Sequence, residues 1–186
     1  MPRELPAGRT TFRFVNKGRV FHEFNIVLMK PGVTLKAYMA AVNADKPLSP
    51  LTDASVGVLF AEPGQSSTSG LTTELIAGRT YVIRCIFKDN KTAPRHQALG
   101  MFSEIHVTNA RTAVDPPPHV DTIVGMDYAF RAPATLAPGT HYFAFVNSGK
   151  QRHEINMSLL KTGVTLRQFM DVDKKGGDRR RTTRLE

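Results

Sequence analysis

The sequence of 186 residues contains no tryptophan and only one cysteine, Cys85. A single cysteine excludes an intramolecular disulfide, so cysteine usage gives no information about the redox compartment. No apolar run approaches the roughly 20 residues of a transmembrane helix, and no apolar signal-peptide segment follows Met1. Motifs of serine hydrolases, phosphate-binding loops and zinc peptidases do not occur either, and the sequence therefore does not predict an enzyme.

Positive charge is abundant but unevenly spread. Lysine and arginine number 25 against 16 acidic residues, which gives a formal net charge of +9. The tail over 174–186 contributes +4 of this, from six basic and two acidic residues. We expect this tail to be disordered and solvated. Because no aromatic residues interleave with its charges, we expect no binding to nucleic acid.

The composition and the spacing of apolar residues favour an all-β fold. Hydrophobic residues make up 41% and charged residues 22% of the chain, as in an ordinary soluble domain. Valine, threonine, phenylalanine, glycine and proline are plentiful, and apolar residues alternate at Phe24, Ile26 and Leu28 as they do in a strand. A short helix over 35–42 is the predicted exception in the first half of the chain.

The chain repeats part of its own sequence at a constant offset of 131 residues. Residues 5–39 align with residues 136–170 without a gap, and the two copies share an Asn-x-Gly turn, a His-Glu pair and a Gly-Val-Thr-Leu motif. This pattern predicts a duplication. The second copy has no counterpart of Tyr81–Val107, and the first has no counterpart of the strand predicted over 121–130. We therefore expect the chain to be a fragment or an incomplete gene product.

Three consecutive prolines, Pro116 to Pro118, indicate a stiff, extended linker between the two copies. We accordingly predict a first domain over 1–109, a proline-rich linker over 110–120, a partial second repeat over 121–173 and a basic disordered tail over 174–186. Two incomplete sheets would leave open strand edges, which are prone to pair with other strands. Self-association through these edges is therefore expected.

Four side chains near the predicted strand ends offer soft metal ligands. His22 stands just before an alternating strand, Cys85 ends another strand, and His96 and Met101 lie on the loop that follows. Two imidazoles, one thiolate and a weak axial thioether form the ligand set of a type 1 copper site. A β-sandwich can bring such loops together at one end and hold them rigidly.

Together these motifs resemble the cupredoxin family, to which plastocyanin and azurin belong. The motifs that match are Asn16-x-Gly18 followed by His22, Pro63-Gly64, Gly78 with Tyr81-x3-Cys85, and His96-x4-Met101 with Gly100. The resemblance covers residues 5–108, with a half-copy over 121–170. It implies a Greek-key β-sandwich with one type 1 copper site, and one-electron transfer or copper carrying. It also implies a redox partner protein and a periplasmic or extracellular location.

Two features keep a metal-free protein open as an alternative. Ten residues separate Cys85 from His96, more than in typical blue copper proteins. His153 repeats His22 in a copy that has no cysteine, which favours a structural role for the His-Glu pair. The alternative is a metal-free cupredoxin-like binding or structural module with Cys85 as an inert core thiol, whose basic loop and tail face an acidic partner. A nucleophilic Cys85–His96 pair is disfavoured, because nothing in the pattern would activate the thiol.

Overall fold

The computed structural model describes residues 2–112, 114–174 and 182–183 of the chain. These residues belong to two compact units, one ending at Val114 and the other beginning at Asp115. Most of the tail that is predicted to be disordered, residues 175–181 and 184–186, lies outside the described residues. Thr183 is described, and it forms an isolated β-bridge with Leu160.

In the described part of the first unit, six strands are hydrogen-bonded in one series and a helix packs on them. The strands are β1 (Glu4–Phe12), β2 (His22–Met29), β3 (Thr52–Ala61), β4 (Leu71–Leu75), β5 (Thr80–Arg84) and β6 (Phe102–Arg111), and helix α1 spans Leu35–Asn43. The strand order is β3-β2-β5-β6-β1-β4. The predicted β-rich, sandwich-like fold is confirmed. The helix predicted over 35–42 is confirmed as α1, which begins after an N-cap provided by Thr34.

β2 is buried on both of its faces. Side chains alternate between the two faces of a strand. Phe24, Ile26 and Leu28 enter the main core, while Val27 packs on the other face beneath Tyr38 of α1. β3 pairs with the whole length of β2, and β5 pairs with its second half. This burial and pairing hold the strand on which the first candidate ligand lies.

β1 changes partners along its length, and this bend makes the sheet sandwich-like. Its first residues pair parallel with β6, whereas its second half pairs antiparallel with β4. The change occurs at a register shift between Pro6 and Ala7 and at Gly8, whose φ of +108° is a conformation that glycine adopts readily. A Cβ added at Gly8 would also lie 2.9 Å from Thr112 Oγ1. Beyond the bend, β1 is no longer paired with β6.

The described residues of the second unit form a smaller sheet and a helix. β7 (Asp121–Met126) lies between β8 (Ala129–Arg131) and β9 (Phe143–Asn147), and α2 spans Leu166–Lys174. α2 begins at the position that the offset of 131 residues predicts from α1. The single strand predicted over 121–130 is wrong in detail. It is a hairpin of β7 and β8 that turns at Asp127, whose carboxylate accepts the Lys150 N–H.

Residues 155–159 alternate as β2 does, but they do not form a strand. β2 pairs with β3 on one edge and β5 on the other, whereas no described strand of the second unit pairs with residues 155–159. A strand needs partners for its backbone groups, so the same alternation gives irregular structure here. The tandem repeat stays a prediction from the sequence. None of the described helices is long and apolar enough to cross a membrane.

Candidate metal centre

Two histidines and the cysteine converge at one end of the first unit. The Nδ1 atoms of His22 and His96 lie 3.0 Å apart, and Cys85 Sγ lies 3.8 Å from His22 Nδ1 and 3.4 Å from His96 Nδ1. The imidazole ring centroids are 4.9 Å apart, and the rings are inclined by 70°. Within the described part of the chain, these three side chains are the one group of His, Cys, Asp or Glu close enough to share a metal ion.

The ends of two strands and a turn bring these side chains together. β2 begins at His22, Cys85 follows the last residue of β5, and a 3-10 turn begins at His96. The Cys85 N–H donates to Met101 O at 3.1 Å, and the Gln97 N–H donates to Cys85 O at 2.7 Å. These hydrogen bonds return the loop to the strand end. The ten residues between Cys85 and His96 therefore do not separate the two side chains in space.

Met101 lies next to this group along the backbone, just after the 3-10 turn. Its N–H donates to His96 O at 2.9 Å, and its carbonyl accepts the hydrogen bond from Cys85. Met101 also lines an apolar cleft that reaches Cys85. These contacts place the Met101 backbone beside the cluster, and its role as the axial ligand stays a prediction from the sequence.

The loop between Cys85 and His96 supplies a carboxylate to the cluster. Asp89 Oδ1 lies 3.1 Å from His96 Nε2, the ring nitrogen that does not face Cys85. A carboxylate accepts hydrogen bonds, so Nε2 carries the proton and Nδ1 keeps a lone pair directed at Cys85 and His22. Histidines that bind metals usually have such a partner on their second nitrogen.

The three donor atoms fit a bound metal ion in both chemistry and spacing. The point equidistant from them lies about 2.0 Å from each atom, close to the bond lengths of imidazole and thiolate ligands to a first-row metal, about 2.0 to 2.3 Å. Two imidazole nitrogens and one thiolate are also the equatorial ligands of a type 1 copper site. The donor set of this cluster therefore suits copper.

No protein-family model matches the chain, and no curated protein matches it. Among solved structures, the chain is similar to auracyanin B in space group P65, with 26% sequence identity, coverage of 56% of this chain and 75% of that chain, and a TM-score of 0.35. At this TM-score the likeness carries no argument. The β-sandwich-like sheet and the His–Cys–His cluster of the first unit agree with the resemblance to cupredoxins that the sequence predicts, and the duplication stays a prediction.

Burial raises the pKa values of two groups in this site, Cys85 and Glu23. It raises the pKa of the Cys85 thiol, even though the Glu23 N–H points at Sγ from 3.5 Å. It also raises the pKa of the Glu23 carboxyl, whose Oε1 accepts the Ile86 N–H at 2.8 Å. The thiolate needs a cation beside it at this buried position, and a bound metal ion provides one. Glu23 links β2 to the loop after Cys85.

His22 lies against the tight turn that precedes β2. A Cβ added at Gly18 would lie 2.9 Å from His22 Nε2, so a larger residue would displace the ring. The turn is held by the buried Asn16, whose amide donates to two backbone carbonyls at 2.8 and 3.0 Å and whose Oδ1 accepts the Gly18 N–H. Burial lowers the pKa of His22, and His96 lowers it further. This lowered pKa favours the neutral imidazole, which is the form that binds a metal ion.

Aromatic rings cover the side of the cluster next to His96. Phe87 meets the His96 ring edge-on, with ring centroids 5.7 Å apart, and packs on Phe21 at 4.9 Å. Phe21 stacks in turn with Phe60 at 5.9 Å, and Phe60 is 42% exposed. His96 itself is buried. The three phenylalanines thus form a row that separates the cluster from solvent on this side.

His153, which the repeat aligns with His22, contacts a carboxylate instead of a thiol. His153 Nε2 lies 3.5 Å from Asp127 Oδ1 within the second unit. A Cβ added at Gly149 would lie 2.8 Å from His153 Nε2, much as one added at Gly18 would approach His22. Both histidines therefore lie against an Asn-x-Gly turn, and this shared position indicates a structural contribution that does not require a metal.

The sequence pattern does not identify two neighbours of the cluster, Asp89 and Phe87. Both lie in the segment between Cys85 and His96, where basic residues dominate the composition. The one signal for Asp89 is that it is a carboxylate in a loop bounded by two candidate ligands. Phe87 carries no such signal, because an aromatic residue after a strand is more often part of the core.

Proposed function

We propose that the first unit binds one copper ion through His22 Nδ1, Cys85 Sγ and His96 Nδ1, with Met101 as the axial ligand, and that it transfers single electrons or carries copper. The observation that carries the proposal is the convergence of two imidazole nitrogens and one thiol sulfur within 3.8 Å of one another. Copper, when bound, would supply a one-electron redox change at this site. The cupredoxin resemblance further suggests a redox partner protein and a periplasmic or extracellular location.

The surrounding residues support the proposal because they hold each ligand from a second direction. Asp89 fixes the tautomer and the ring orientation of His96. The Gly18 turn restrains His22, and backbone hydrogen bonds hold Cys85 through both its N–H and its carbonyl. Ligands restrained in this way would move little when the oxidation state of a bound ion changes, which favours rapid electron transfer.

Exclusion of water from the cluster also supports the proposal. Cys85 is fully buried, and Phe87 packs against His96 on the side that leads to the surface. An apolar surrounding of this kind limits access of solvent and small oxidants to a thiolate, and it influences the redox potential of a bound metal. The row of Phe87, Phe21 and Phe60 connects His96 to a ring that is partly exposed at the protein surface.

A metal-free binding or structural module is the second candidate, and one observation favours it. The 3.0 Å between His22 Nδ1 and His96 Nδ1 is also the length of a hydrogen bond. Because His96 donates from Nε2 to Asp89, its Nδ1 would accept, and His22 would donate from Nδ1. The two candidates thus require different tautomers of His22: a proton on Nδ1 without metal, and a lone pair on Nδ1 with metal.

Copper stoichiometry in matched histidine variants tests the proposed function. Purified apoprotein is incubated with Cu(I) or Cu(II), desalted and analysed for metal. We expect one copper ion per chain in the wild type and in His153→Ala, and little retained copper in His22→Ala. His153→Ala is the matched control, because it removes the other histidine beside an Asn-x-Gly turn.

An absence of retained copper in the wild type would reject the copper site. Nitrogen-15 NMR of the apoprotein would then show whether His22 carries its proton on Nδ1, as the metal-free module requires. Equal retention in His22→Ala and the wild type would place the bound copper outside the cluster.

A further inference from the structure

The exposed apolar side chains of the first unit are concentrated at the end that holds the candidate metal centre. Four of the five large apolar residues exposed over residues 2–112 lie in the segments around the three candidate ligands, and these four are Val15, Val20, Phe60 and Leu99. The fifth, Ile76, lies between β4 and β5 at the opposite end, from which β5 leads to Cys85. Apolar exposure therefore marks the metal end of the unit.

Two of these residues, Val20 and Phe60, are held next to each other. The Asn16 amide donates to Val20 O at 2.8 Å and to Ala61 O at 3.0 Å, so it joins the turn before β2 to the end of β3. The ring of Phe21, which follows Val20, stacks on the ring of Phe60 with centroids 5.9 Å apart. Val20 is 40% exposed and Phe60 is 42% exposed. Val20, Phe21 and Phe60 are here called the apolar patch.

Basic side chains flank the apolar patch on two sides. Two of them belong to the turn that leads into Phe21, and three belong to the loop that begins at Phe87, whose ring packs on Phe21 at 4.9 Å. All five are exposed, and they are Lys17, Arg19, Lys88, Lys91 and Arg95. The apolar patch therefore has a basic rim.

Acidic side chains compensate little of this charge. The segments 17–21, 60–62 and 87–95 contain two acidic residues, Glu62 and Asp89. Glu62 is partly buried, and Asp89 accepts a hydrogen bond from His96. Among the described residues, no carboxylate forms an ion pair with any of the five basic side chains of the rim. The rim therefore presents a local positive charge to a partner that approaches within about 10 Å.

The apolar patch is also where the aromatic row from the metal centre reaches the surface. Phe87 meets the His96 ring at 5.7 Å, and the row ends at the partly exposed ring of Phe60. His96 itself is only 5% exposed, so a partner cannot contact its ring directly. A protein bound over Phe60 would instead lie against the outer end of the row.

We propose that the apolar patch and its basic rim dock an acidic surface of the redox partner protein, and that electrons are exchanged with this partner beside Phe60. The inference rests on the proposed electron-transfer function: in each encounter the copper site would lose one electron and the partner would gain it, or the reverse. An apolar centre with a charged rim is the common composition of a protein interface, and opposite charge accelerates and orients the association of two proteins.

The arrangement of the apolar residues fits a protein partner better than a lipid surface. Val20 comes from a turn and Phe60 from the end of a strand. A protein that lies on an anionic membrane commonly uses an amphipathic helix with one continuous apolar face. The described helix of the first unit, α1, instead packs its apolar side chains against the sheet.

Nuclear magnetic resonance of the full-length apoprotein tests the docking surface without copper. Nitrogen-15-labelled protein is titrated with poly-L-glutamate at low ionic strength. We expect the largest shifts at the amides of 17–21 and 87–95, and we expect added salt to reverse them. The double substitution Lys88→Glu/Lys91→Glu should weaken binding by about tenfold. Lys30→Glu/Lys36→Glu is the matched control, because it makes the same change of charge at exposed positions of the opposite end, and it should have little effect.

A second probe tests the apolar patch. A random copolymer of glutamate and tyrosine offers aromatic rings as well as carboxylates, and we expect the wild type to bind it more tightly than poly-L-glutamate. Phe60→Ser should remove this difference, whereas Ile76→Ser, which removes an exposed apolar side chain at the opposite end, should keep it. Circular dichroism should show that both variants are folded. Equal preference for the copolymer in Phe60→Ser and the wild type would overturn the role of the patch.

Stopped-flow oxidation of the copper-loaded, reduced protein by ferricyanide tests the route of the electron. The anionic oxidant should react about tenfold more slowly with Lys88→Glu/Lys91→Glu than with the wild type. The cationic oxidant tris(phenanthroline)cobalt(III) should react faster with the same variant. Equal rates of Lys88→Glu/Lys91→Glu and Lys30→Glu/Lys36→Glu with both oxidants would show that electrons do not leave beside the basic rim.

The outcomes separate a failure of this inference from a failure of the proposed function. A protein that retains copper but shows poly-L-glutamate shifts spread evenly over all its basic residues would overturn the docking surface and leave the copper site intact. A protein that retains no copper would reject the proposed function, and the titration would still decide whether the surface binds an acidic partner. Binding to phosphatidylglycerol vesicles without binding to either polymer would replace the protein partner by a lipid surface and overturn the proposal.

Discussion

Asp89 Oδ1 accepts a hydrogen bond from His96 Nε2 at 3.1 Å, and this contact gives the long loop after Cys85 a function. The loop returns a carboxylate to the outer nitrogen of the His96 ring, while the inner nitrogen faces Cys85 Sγ at 3.4 Å. The tautomer and the orientation of the ring are therefore set by a residue from inside the loop. The additional length of the loop between Cys85 and His96 therefore contributes Asp89 to the site as a supporting residue.

We expect Asp89→Leu to weaken copper binding by about 10- to 100-fold, the usual effect of removing a carboxylate partner from a metal-bound histidine. Asp89→Asn keeps an oxygen that accepts a hydrogen bond and should weaken binding less. Competition with a chelator of known affinity measures the change, and the exposed Asp45→Asn provides the control for loss of one negative charge. Equal affinities of Asp89→Leu and the wild type would contradict the positioning role of Asp89.

Met101→Leu should leave copper bound to the two histidines and the cysteine but should change the reduction potential. A weak axial ligand tunes the potential of such a site and contributes little to holding the ion. Spectroelectrochemistry measures the potential, and Met39→Leu, on α1, is the control for loss of a thioether elsewhere. A potential unchanged by Met101→Leu and an unchanged spectrum would remove Met101 from the ligand set.

Asn16→Ala should lower the free energy of unfolding of the first unit by about 2 kcal/mol, because two backbone carbonyls lose their hydrogen-bond donor. Asn147→Ala removes the corresponding asparagine of the second unit, which is exposed, and should cost less than about 0.5 kcal/mol. Urea unfolding followed by far-ultraviolet circular dichroism, to which the strands of both units contribute, measures both. Equal effects of the two substitutions would contradict the structural role assigned to Asn16.

Glu23→Gln should change how the stability of the apoprotein depends on pH. Burial raises the pKa of Glu23 in the folded state, so the folded protein binds this proton more tightly than the unfolded chain does. The resulting stabilisation is fully present below the unfolded pKa and is lost as the pH rises through the folded pKa. Glutamine keeps an oxygen that accepts the Ile86 N–H but does not titrate.

The measurement is the free energy of unfolding of both proteins at a series of pH values. We expect the wild type to gain stability relative to Glu23→Gln as the pH falls from neutral. A constant difference, or a relative gain for the wild type as the pH rises, would contradict the proposed environment of Glu23.

The sequence identifies the converging ligands because their side chains are rare and their positions relative to the strands are regular. Cys85 is the only cysteine. His22 precedes a segment whose alternation predicts a strand, and His96 lies on the loop that follows the strand ending at Cys85. Asp89 cannot be identified in the same way. Its contact with His96 depends on the path of a loop that no short period encodes, and an acidic residue among lysines usually indicates a solvated surface.

Prediction of the fold from local sequence patterns has the same limit. Alternation predicts β2 correctly, but the same alternation over 155–159 gives no strand, because strands are stabilised by partners that lie far away in the sequence. The helix α1 follows from local signals, since Thr34 caps it through a hydrogen bond to the Ala37 N–H. Helices satisfy their own backbone hydrogen bonds, whereas strands need a neighbouring strand. Local sequence patterns therefore predict helices more reliably than strands.

Visible absorption spectroscopy during titration of the apoprotein with Cu(II) tests the central claim most directly. The account predicts an intense thiolate-to-copper band at about 600 nm that saturates at one equivalent and is lost in Cys85→Ser. It also predicts that bound copper protects Cys85 from alkylation. A spectrum without this band, with Cys85 alkylated equally with and without copper, would contradict a copper centre formed by His22, Cys85 and His96.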